Sequence, residues 1–149
     1  MRAMPNRWKP NVTVAAIIER DGRFLLVEED TADGLRLNNP AGHLDPGESP
    51  IEACVREVLE ETAHDFAPAA LVGVYLNRFT RTRTGHDITY LRFAFAGTVW
   101  MTLDELHASA ARHRSPLVLQ CIQDYLAGQR APLALIHTDA SVLQATAAL

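Results

Sequence analysis

The stretch GHLDPGESPIEACVREVLEET, residues 42–62, decides the fold of this chain. Ser49, Pro50 and Glu52 supply an N-cap, a proline at the first helical position and a capping-box glutamate three residues after the serine. This order is typical of a helix start. The sequence therefore predicts a helix that begins at Pro50 and runs to about Thr62.

The predicted helix has an apolar stripe and an acidic side. At about 100° per residue, one stripe collects Ile51, Val55, Val58, Leu59 and Thr62, with Cys54 beside it. The opposite side collects Glu57, Glu60 and Glu61. We expect the stripe to be buried and the three carboxylates to face outward.

Negative charge is concentrated in this stretch. Residues 42–61 carry six acids and one base, Arg56, which gives −5, whereas the whole chain has 14 bases and 18 acids and a net charge of −4. A solvated acidic helix face is the ordinary interpretation of such a run. However, like charges three and four residues apart destabilise a helix, and anions near its C-terminus oppose the helix dipole. The arrangement therefore favours a bound cation, and oxygen ligands suit Mg²⁺ or Mn²⁺.

Length and composition predict one compact domain, residues 1–149, with residues 1–10 as a loose N-terminal lead-in. The chain is 48% hydrophobic and 21% charged, as in globular proteins. Its net negative charge argues against binding of a nucleic acid polymer. We expect a cytoplasmic protein that does not enter a membrane, because the sequence shows no signal peptide and no membrane-spanning run. The two cysteines do not have the spacing of a zinc site.

Strands are predicted on both sides of the helix. Residues 12–19 and 24–29 are apolar and β-branched, and Asp21-Gly22 between them predicts a hairpin. Residues 35–45 are rich in turn formers, so a loop with at most a short strand is expected there. Residues 70–79 and 88–96 predict a second hairpin, joined by the polar link 80–87.

Two further helices are predicted near the C-terminus. A capping box, Thr102 to Glu105, opens a helix to about Ala111, and a serine–proline start opens another over residues 116–127, with Gly128 as its stop. The mixed order of strands and helices fits an α+β or α/β layer sandwich and not a doubly wound parallel sheet.

The spacing Gly42-x5-Glu48-x7-Arg56-Glu57-x2-Glu60-Glu61 resembles the Nudix box. This box is the signature of hydrolases of nucleoside diphosphates linked to another group. The runs 12–18 (VTVAAII), 40–49 (PAGHLDPGES), 91–96 (LRFAFA) and 114–118 (RSPLV) extend the resemblance over nearly the whole chain. The resemblance implies the Nudix fold, an α/β (α+β) arrangement in which a mixed β-sheet is sandwiched between helices.

The resemblance also implies roles for individual residues. Metal ligation would fall to Glu57, Glu60, Glu61 and the carbonyl of Gly42. Glu48 would be a further carboxylate of the site, and Arg56 would orient Glu57 through a bidentate pair. Glu57 is the first choice for the general base, although some family members use a glutamate from a distant loop. The implied cofactor is Mg²⁺, with Mn²⁺ as the alternative, and the implied substrates are nucleoside di- and triphosphates or thiamin-pathway pyrophosphates.

Two departures from the family pattern stand out. Ala63 and His64 occupy the positions where the box ends in glycine and an apolar residue. Only residues 97–99 connect Ala96 to Trp100, where the resemblance implies a long acidic loop and another strand. Either the protein lacks this loop or further residues belong there, and the abrupt connection favours the second interpretation.

Weaker candidates for substrate binding are Arg78, Arg92 and Asn39. Arginine forks suit phosphates, and the equal alternative for Arg92 is that it points to solvent from its strand. Asn38 and Asn39 are either turn formers or polar substrate contacts, and Tyr75 and Phe79 are either core residues or stacking partners for a heterocycle.

Three classes of function remain open from the sequence. The first is a metal-dependent hydrolase of small phosphate anhydrides, and the second is a nucleotide-binding sensor. The third is an acidic helix that binds a partner protein. All four box carboxylates are present, which favours the enzyme, and a monomer or a homodimer is expected.

Overall fold

A computed structural model describes residues 6–62, 64–81, 83–97, 103–113 and 115–143. Within these residues, five strands form one mixed sheet in the order β2-β1-β7-β6, with β5 also paired to β1. The strands are β1 (Asn11–Arg20), β2 (Arg23–Phe24), β5 (Ala41–His43), β6 (Leu71–Thr80) and β7 (Asp87–Gly97). β1 and β7 are parallel, whereas the other pairs are antiparallel. β3 (Val27–Thr31) and β4 (Gly34–Asn38) form a separate two-stranded sheet.

The predicted N-terminal hairpin is confirmed, but its second strand is interrupted. Asp21 and Gly22 both have positive φ, 51° and 75°, as a tight two-residue turn between right-twisted strands requires. β2 ends at Phe24 and β3 begins at Val27, so the predicted strand 24–29 is divided between two sheets. The apolar run therefore predicts extended structure over these residues. It does not indicate that β2 pairs with β1 whereas β3 pairs with β4.

The prediction of a loop over residues 35–45 is wrong for most of that stretch. β4 pairs with β3, and the three residues of β5 pair with Thr13, Val14 and Ala15 of β1. Pro40, between β4 and β5, lacks a donor but accepts a hydrogen bond from the Ala16 N–H at 2.8 Å. The turn-forming residues thus lie at the junction of two short strands, of which β4 pairs with the adjacent β3 and β5 pairs with the distant β1.

Helix α1 (Pro50–Thr62) has the predicted bounds and the predicted start. The Glu52 N–H donates to Ser49 Oγ at 3.1 Å, and Glu52 Oε2 accepts from the Ser49 N–H at 2.9 Å. These two reciprocal hydrogen bonds form a capping box and satisfy backbone donors that the helix itself leaves open.

The C-terminal helices agree with the prediction in part. α2 (Leu103–Ala108) is shorter than expected and gives way to a 3₁₀ turn at Ala110–Arg112. α3 (Leu117–Leu126) is followed by Gly128 with φ of 85°, which confirms the predicted glycine stop. A 3₁₀ turn at Leu133–Leu135 and the short α4 (Ala140–Leu143) were not predicted. Thr102 and the expected extra loop before Trp100 fall on residues 98–102, outside the described residues.

The sheet separates two apolar clusters. Side chains alternate between the faces of β1, so Val14, Ala16 and Ile18 pack with Ala53, Cys54 and Val58 of α1. Ile17 lies on the other face with Leu106 of α2 and with Cys121 and Ile122 of α3. The sheet is therefore sandwiched between α1 on one face and α2 and α3 on the other, as expected.

We expect Ser49→Ala to lower the free energy of unfolding by about 1 kcal/mol, because the Glu52 N–H loses its acceptor at the start of α1. Ser49→Thr keeps the hydroxyl and is the matched control, with most of the stability retained. Chemical denaturation measures both differences. Equal stability of Ser49→Ala and the wild type would contradict the capping role.

Candidate active site

The carboxylates of α1 lie beside its buried stripe and not opposite to it. Ala53, Cys54 and Val58 are buried, whereas Leu59, which was predicted to be buried, is 48% exposed. Glu57 is only 15% exposed, and Glu61 Oε2 accepts a hydrogen bond from the Ala41 N–H at 3.1 Å. The side of α1 that carries Glu57 and Glu61, which we call the acidic flank, therefore faces β5. The sheet covers part of this side of the helix as well as the buried stripe.

Arg56 is the centre of a network of hydrogen bonds and ion pairs. Its Nε and one Nη donate to the two carboxylate oxygens of Glu48 at 2.9 and 2.6 Å. The other Nη donates to Glu57 at 2.8 Å and to Glu60 at 3.4 Å. The His43 carbonyl accepts a further hydrogen bond at 3.0 Å, and Asp45 lies at 3.3 Å. One cation thus joins α1 to both the β5 strand and the loop that follows it.

The bidentate partner of Arg56 is Glu48, which corrects the expectation that it would be Glu57. Glu57 receives one hydrogen bond from Arg56, and the fork of Nε and Nη is occupied by Glu48. Both carboxylates are largely buried, at 14% and 15% exposed, so their pairing with Arg56 is stronger than a surface ion pair. Arg56 therefore positions both acids, with Glu48 acting as its anchor.

The Arg56 network also sets protonation states. The Arg56 guanidinium holds the pKa of the Glu48 carboxyl below its usual value, and the Asp45 N–H, which donates to Glu48 at 2.7 Å, adds to this effect. Hydrogen bonds from Arg56 to Glu48 and Glu57 raise the pKa of Arg56 in turn. Glu48 is therefore ionised and Arg56 protonated at neutral pH.

Gly42 is required by the close approach of β5 and α1. A Cβ atom at this position would lie 1.9 Å from Glu57 Cδ and 2.2 Å from each Glu57 oxygen. Any side chain would therefore displace a carboxylate that Arg56 holds in place. The glycine of the sequence motif is thus explained by space for Glu57.

The register of β5 also bears on the carbonyl that was expected to bind metal. The Ala41 N–H and the His43 carbonyl both point towards α1, where they contact Glu61 and Arg56. Successive residues of a strand direct their backbone groups to opposite edges. The Gly42 carbonyl therefore faces its partner Val14 on β1. On the edge that faces α1, the adjacent carbonyl is that of Ala41.

The donor set fits a divalent cation, although the carboxylates do not converge. Within the described residues, no three His, Cys, Asp or Glu side chains are grouped so as to hold a metal ion. The reason is that Arg56 contacts Glu57 and Glu60, and the Ala41 N–H contacts Glu61. Carboxylate and carbonyl oxygens are nevertheless the ligands that Mg²⁺ prefers. Glu60 is 59% exposed and makes the longest of these contacts, so it turns from Arg56 most easily.

The three candidate substrate residues have different environments. Arg92 is buried, so the predicted orientation towards solvent does not apply, and one Nη donates to Asn38 Oδ1 at 3.3 Å. Asn39 is also buried and lies against α3, where its amide approaches the Val118 carbonyl at 3.5 Å. Arg78 is exposed on β6, where its Nε donates to both carboxylate oxygens of Asp87 at 2.8 and 2.9 Å and one Nη donates to the same carboxylate at 2.5 Å. Binding of substrate by these residues stays a prediction, and the Asp87 pairing argues against Arg78.

Sequence reasoning missed several groups that contact the acidic residues. Asp45 and the backbone of Ala41 and His43 were not singled out for such contacts, yet each one touches Arg56 or Glu61. Asp45 could have been predicted from the sequence, because it lies only three residues before Glu48. The backbone groups of Ala41 and His43 could not, because only the pairing of β5 with β1 determines which way they point.

Comparison with known proteins identifies the family. A family model described as the NUDIX domain matches residues 8–120. "Phosphatase NudJ" from Escherichia coli (strain K12) is 35% identical over 147 residues, covering 87% of this chain and 92% of that protein. The chain therefore belongs to the Nudix family. It is a hydrolase that acts on phosphorus-containing anhydrides.

Solved structures support the same assignment. A NUDIX hydrolase from Nitrosomonas europaea is 49% identical and superimposes with a TM-score of 0.79, covering 88% of this chain and 98% of that one. The E. coli ORF135 protein is 25% identical with a TM-score of 0.58, covering 80% and 90%. The fold expected from the resemblance is thereby confirmed. In the described part of the chain, no helix is both long and apolar enough to cross a membrane.

The Arg56–Glu48 pair predicts a pH-dependent contribution to stability. Because the pKa of Glu48 is lower in the folded protein than its usual 4.5, its stabilising effect is present above about pH 4.5 and is lost as the pH falls through the folded value. We expect Glu48→Gln to be less stable than the wild type at pH 7, and the difference to shrink at pH 3–4. Denaturant titrations across this range measure it.

The exposed Asp33→Asn is the control for a carboxylate that lies in a turn outside the Arg56 network. A stability difference between Glu48→Gln and the wild type that stays constant from pH 7 to pH 3 would contradict the ion pair as its cause.

Proposed function

We propose that the protein is a Mg²⁺-dependent pyrophosphohydrolase or phosphatase, with Mn²⁺ as an alternative ion, that acts on nucleoside di- and triphosphates or on thiamin-pathway pyrophosphates. The observation that carries the proposal is the Arg56 network, which holds Glu48, Glu57 and Glu60 together against β5. The substrate range follows from similarity to a protein named as a phosphatase and remains an expectation for this chain.

The acids of α1 and the Ala41 carbonyl would hold the metal ion. Glu57, Glu60 and Glu61 were expected as ligands together with the Gly42 carbonyl. The register of β5 favours the Ala41 carbonyl over that of Gly42. When bound, the ion lowers the pKa of water and neutralises charge on phosphate oxygens.

Within this site, Glu57 is proposed as the general base that accepts a proton from the attacking water. Its carboxylate is mostly buried and is oriented by one hydrogen bond from Arg56. Arg56 is a positioning residue, since Glu48 occupies its bidentate face. Glu48 holds Arg56 and so keeps Glu57 directed towards β5.

A thiol nucleophile is disfavoured as an alternative to water. Cys54 and Cys121 are both unpaired and buried. Burial raises the pKa of Cys54 far above its usual range and that of Cys121 to about 11. Both thiols are therefore protonated at neutral pH, which supports direct attack of water on phosphorus. Unpaired cysteines also agree with the expected cytoplasmic location.

A nucleotide-binding sensor is the second candidate function. In that case the chain would bind its ligand without turnover, as a monomer or a homodimer, and would still need no membrane and no nucleic acid polymer. The presence of all four box carboxylates, with Glu57 and Glu48 held by Arg56, favours the enzyme.

We expect Glu57→Gln and Glu60→Gln each to lose at least about a hundredfold in kcat with Mg²⁺, since each removes an anionic metal-binding oxygen or the base. Phosphate release from nucleotides and thiamin pyrophosphate, with and without Mg²⁺, measures this loss. In the absence of metal, both variants should melt within a few degrees of the wild type, because Arg56 keeps its pair with Glu48.

Glu28→Gln, on the separate sheet of β3 and β4, is the control for a general effect of charge. Full activity of both α1 variants would contradict the proposed site. Binding of nucleotide by the wild type without any turnover would instead support the sensor.

A further inference from the structure

The guanidinium of Arg56 has two sides with different partners. Its Nε and one Nη, which we call the loop side, donate to Glu48 at 2.9 and 2.6 Å and to the His43 carbonyl at 3.0 Å. The other Nη, which we call the helix side, donates to Glu57 at 2.8 Å and to Glu60 at 3.4 Å. An arginine has five N–H donors in a fixed planar fork. These five contacts therefore match all of its donors.

Asp45 lies on the loop side of Arg56 as an additional anion. Its Oδ2 is 3.3 Å from the Nη that already donates to Glu48 and to the His43 carbonyl. In the described part of the chain, no hydrogen bond from Arg56 reaches this carboxylate, so the contact is an ion pair held by charge. Asp45 is also 62% exposed. An exposed pair of this kind contributes little to stability, which therefore does not explain why an acid stands here.

The main chain that carries Asp45 is nevertheless fixed in place. The Leu44 N–H donates to the Val12 carbonyl of β1 at 3.1 Å. The Asp45 N–H donates to Glu48 at 2.7 Å. The loop that presents Glu48 to Arg56 therefore keeps the Asp45 carboxylate beside the same guanidinium.

The charge around Arg56 changes when the acids of α1 turn to a metal ion. Glu60 is the acid that leaves Arg56 most easily, and Glu57 would share its charge with the ion. Arg56 is only 28% exposed, so water compensates in part for an anion that leaves. The two carboxylates on the loop side, Glu48 and Asp45, would then carry most of the balance.

We propose that Asp45 is a positioning residue that keeps the charge of Arg56 balanced when Glu60 turns to the metal ion. Asp45 and Glu60 contact different Nη atoms of Arg56, so Asp45 acts through the guanidinium and is not itself a ligand. This proposal rests on the proposed function, because Glu57 and Glu60 are the ligands proposed there. Without the Asp45 charge, Arg56 holds Glu60 more tightly, and the site binds a divalent cation more weakly.

The test measures Mn²⁺ binding by the full chain without substrate, with the electron paramagnetic resonance signal of free Mn²⁺ as the readout. Asp45→Asn removes the charge and keeps the shape of the side chain. We expect it to weaken Mn²⁺ binding about two- to fivefold, as for the loss of one exposed ion pair. Asp45→Glu restores the carboxylate and should recover most of the lost affinity.

Asp65→Asn is the control for a general loss of negative charge near α1. Asp65 is exposed in the segment that follows the helix. It is not among the ion-pair partners of Arg56. This variant should leave the affinity for Mn²⁺ close to that of the wild type.

A double-mutant cycle with Arg56→Gln separates an effect through Arg56 from a direct one. If Asp45 acts through Arg56, adding Asp45→Asn to Arg56→Gln leaves the Mn²⁺ affinity unchanged. A carboxylate that attracts or ligates the ion directly would lose at least as much affinity in that background, because no guanidinium would screen it. Circular dichroism checks that each variant folds.

A crystal structure of the wild type with Mn²⁺ answers the same question without an Arg56 variant. Asp45 should remain beside Arg56 after Glu60 has turned away. An Asp45 oxygen at about 2 Å from the ion would make Asp45 a ligand and overturn the proposal.

The binding data overturn the proposal in four further cases. These are wild-type affinity in Asp45→Asn, an equal loss in Asp65→Asn, an undiminished loss in the Arg56→Gln background, and no Mn²⁺ binding by the wild type. Failure of the proposed function is a separate result, namely absence of Mg²⁺-dependent phosphate release. A protein whose Mn²⁺ affinity depends on Asp45 through Arg56, but which hydrolyses no anhydride, would support this inference and contradict the catalytic proposal.

Discussion

The hydrogen bonds of Arg56 are the interaction on which the active site depends. Arg56 lies on α1, yet its partners include Glu48 and the His43 carbonyl, which precede the helix. The same guanidinium contacts Glu57, Glu60 and Asp45. One positive charge among four carboxylates leaves a net charge of −3. This excess of negative charge at the junction of β5 and α1 is what a divalent cation would neutralise.

The sheet contributes the second constraint, through β5. Its three residues pair with β1, and this pairing fixes the direction of each backbone and side-chain group. Gly42 leaves space for Glu57, the Ala41 N–H holds Glu61, and the His43 carbonyl holds Arg56. The side chain of His43 belongs to the other face, where Thr13 and Arg92 lie. β5 thus links the acidic flank of α1 to the opposite face of the sheet.

Local signals in the sequence predicted local structure well. The capping box at Ser49 and the turn at Asp21-Gly22 depend on neighbouring residues only, and both are present as expected. β4 is the second strand of a local hairpin with β3, and it was missed because the turn formers of residues 35–45 outweighed its short apolar pattern. β5 was missed because its partner, β1, is distant along the chain. The exposure of Leu59 was missed for a related reason, since helical periodicity does not indicate which side of the helix the sheet covers.

The same distinction applies to the site. The spacing of Glu48, Arg56 and the α1 acids identified the residues that lie together, because the motif itself encodes their proximity. It did not reveal that Glu48 is the bidentate partner of Arg56. Nor did it show that Arg92 is buried beside Thr13. Both facts follow from side-chain geometry and from strand register, which a motif does not specify.

The most direct test of the account is a crystal structure with Mn²⁺ and an anomalous difference map. We expect one strong peak between α1 and β5, with oxygens of Glu57 and Glu60 and the Ala41 carbonyl at about 2 Å. Arg56 should keep its bidentate pair with Glu48 and release Glu60. A map at saturating Mn²⁺ with no peak beside α1, and with Glu57 and Glu60 still bound to Arg56, would contradict the account.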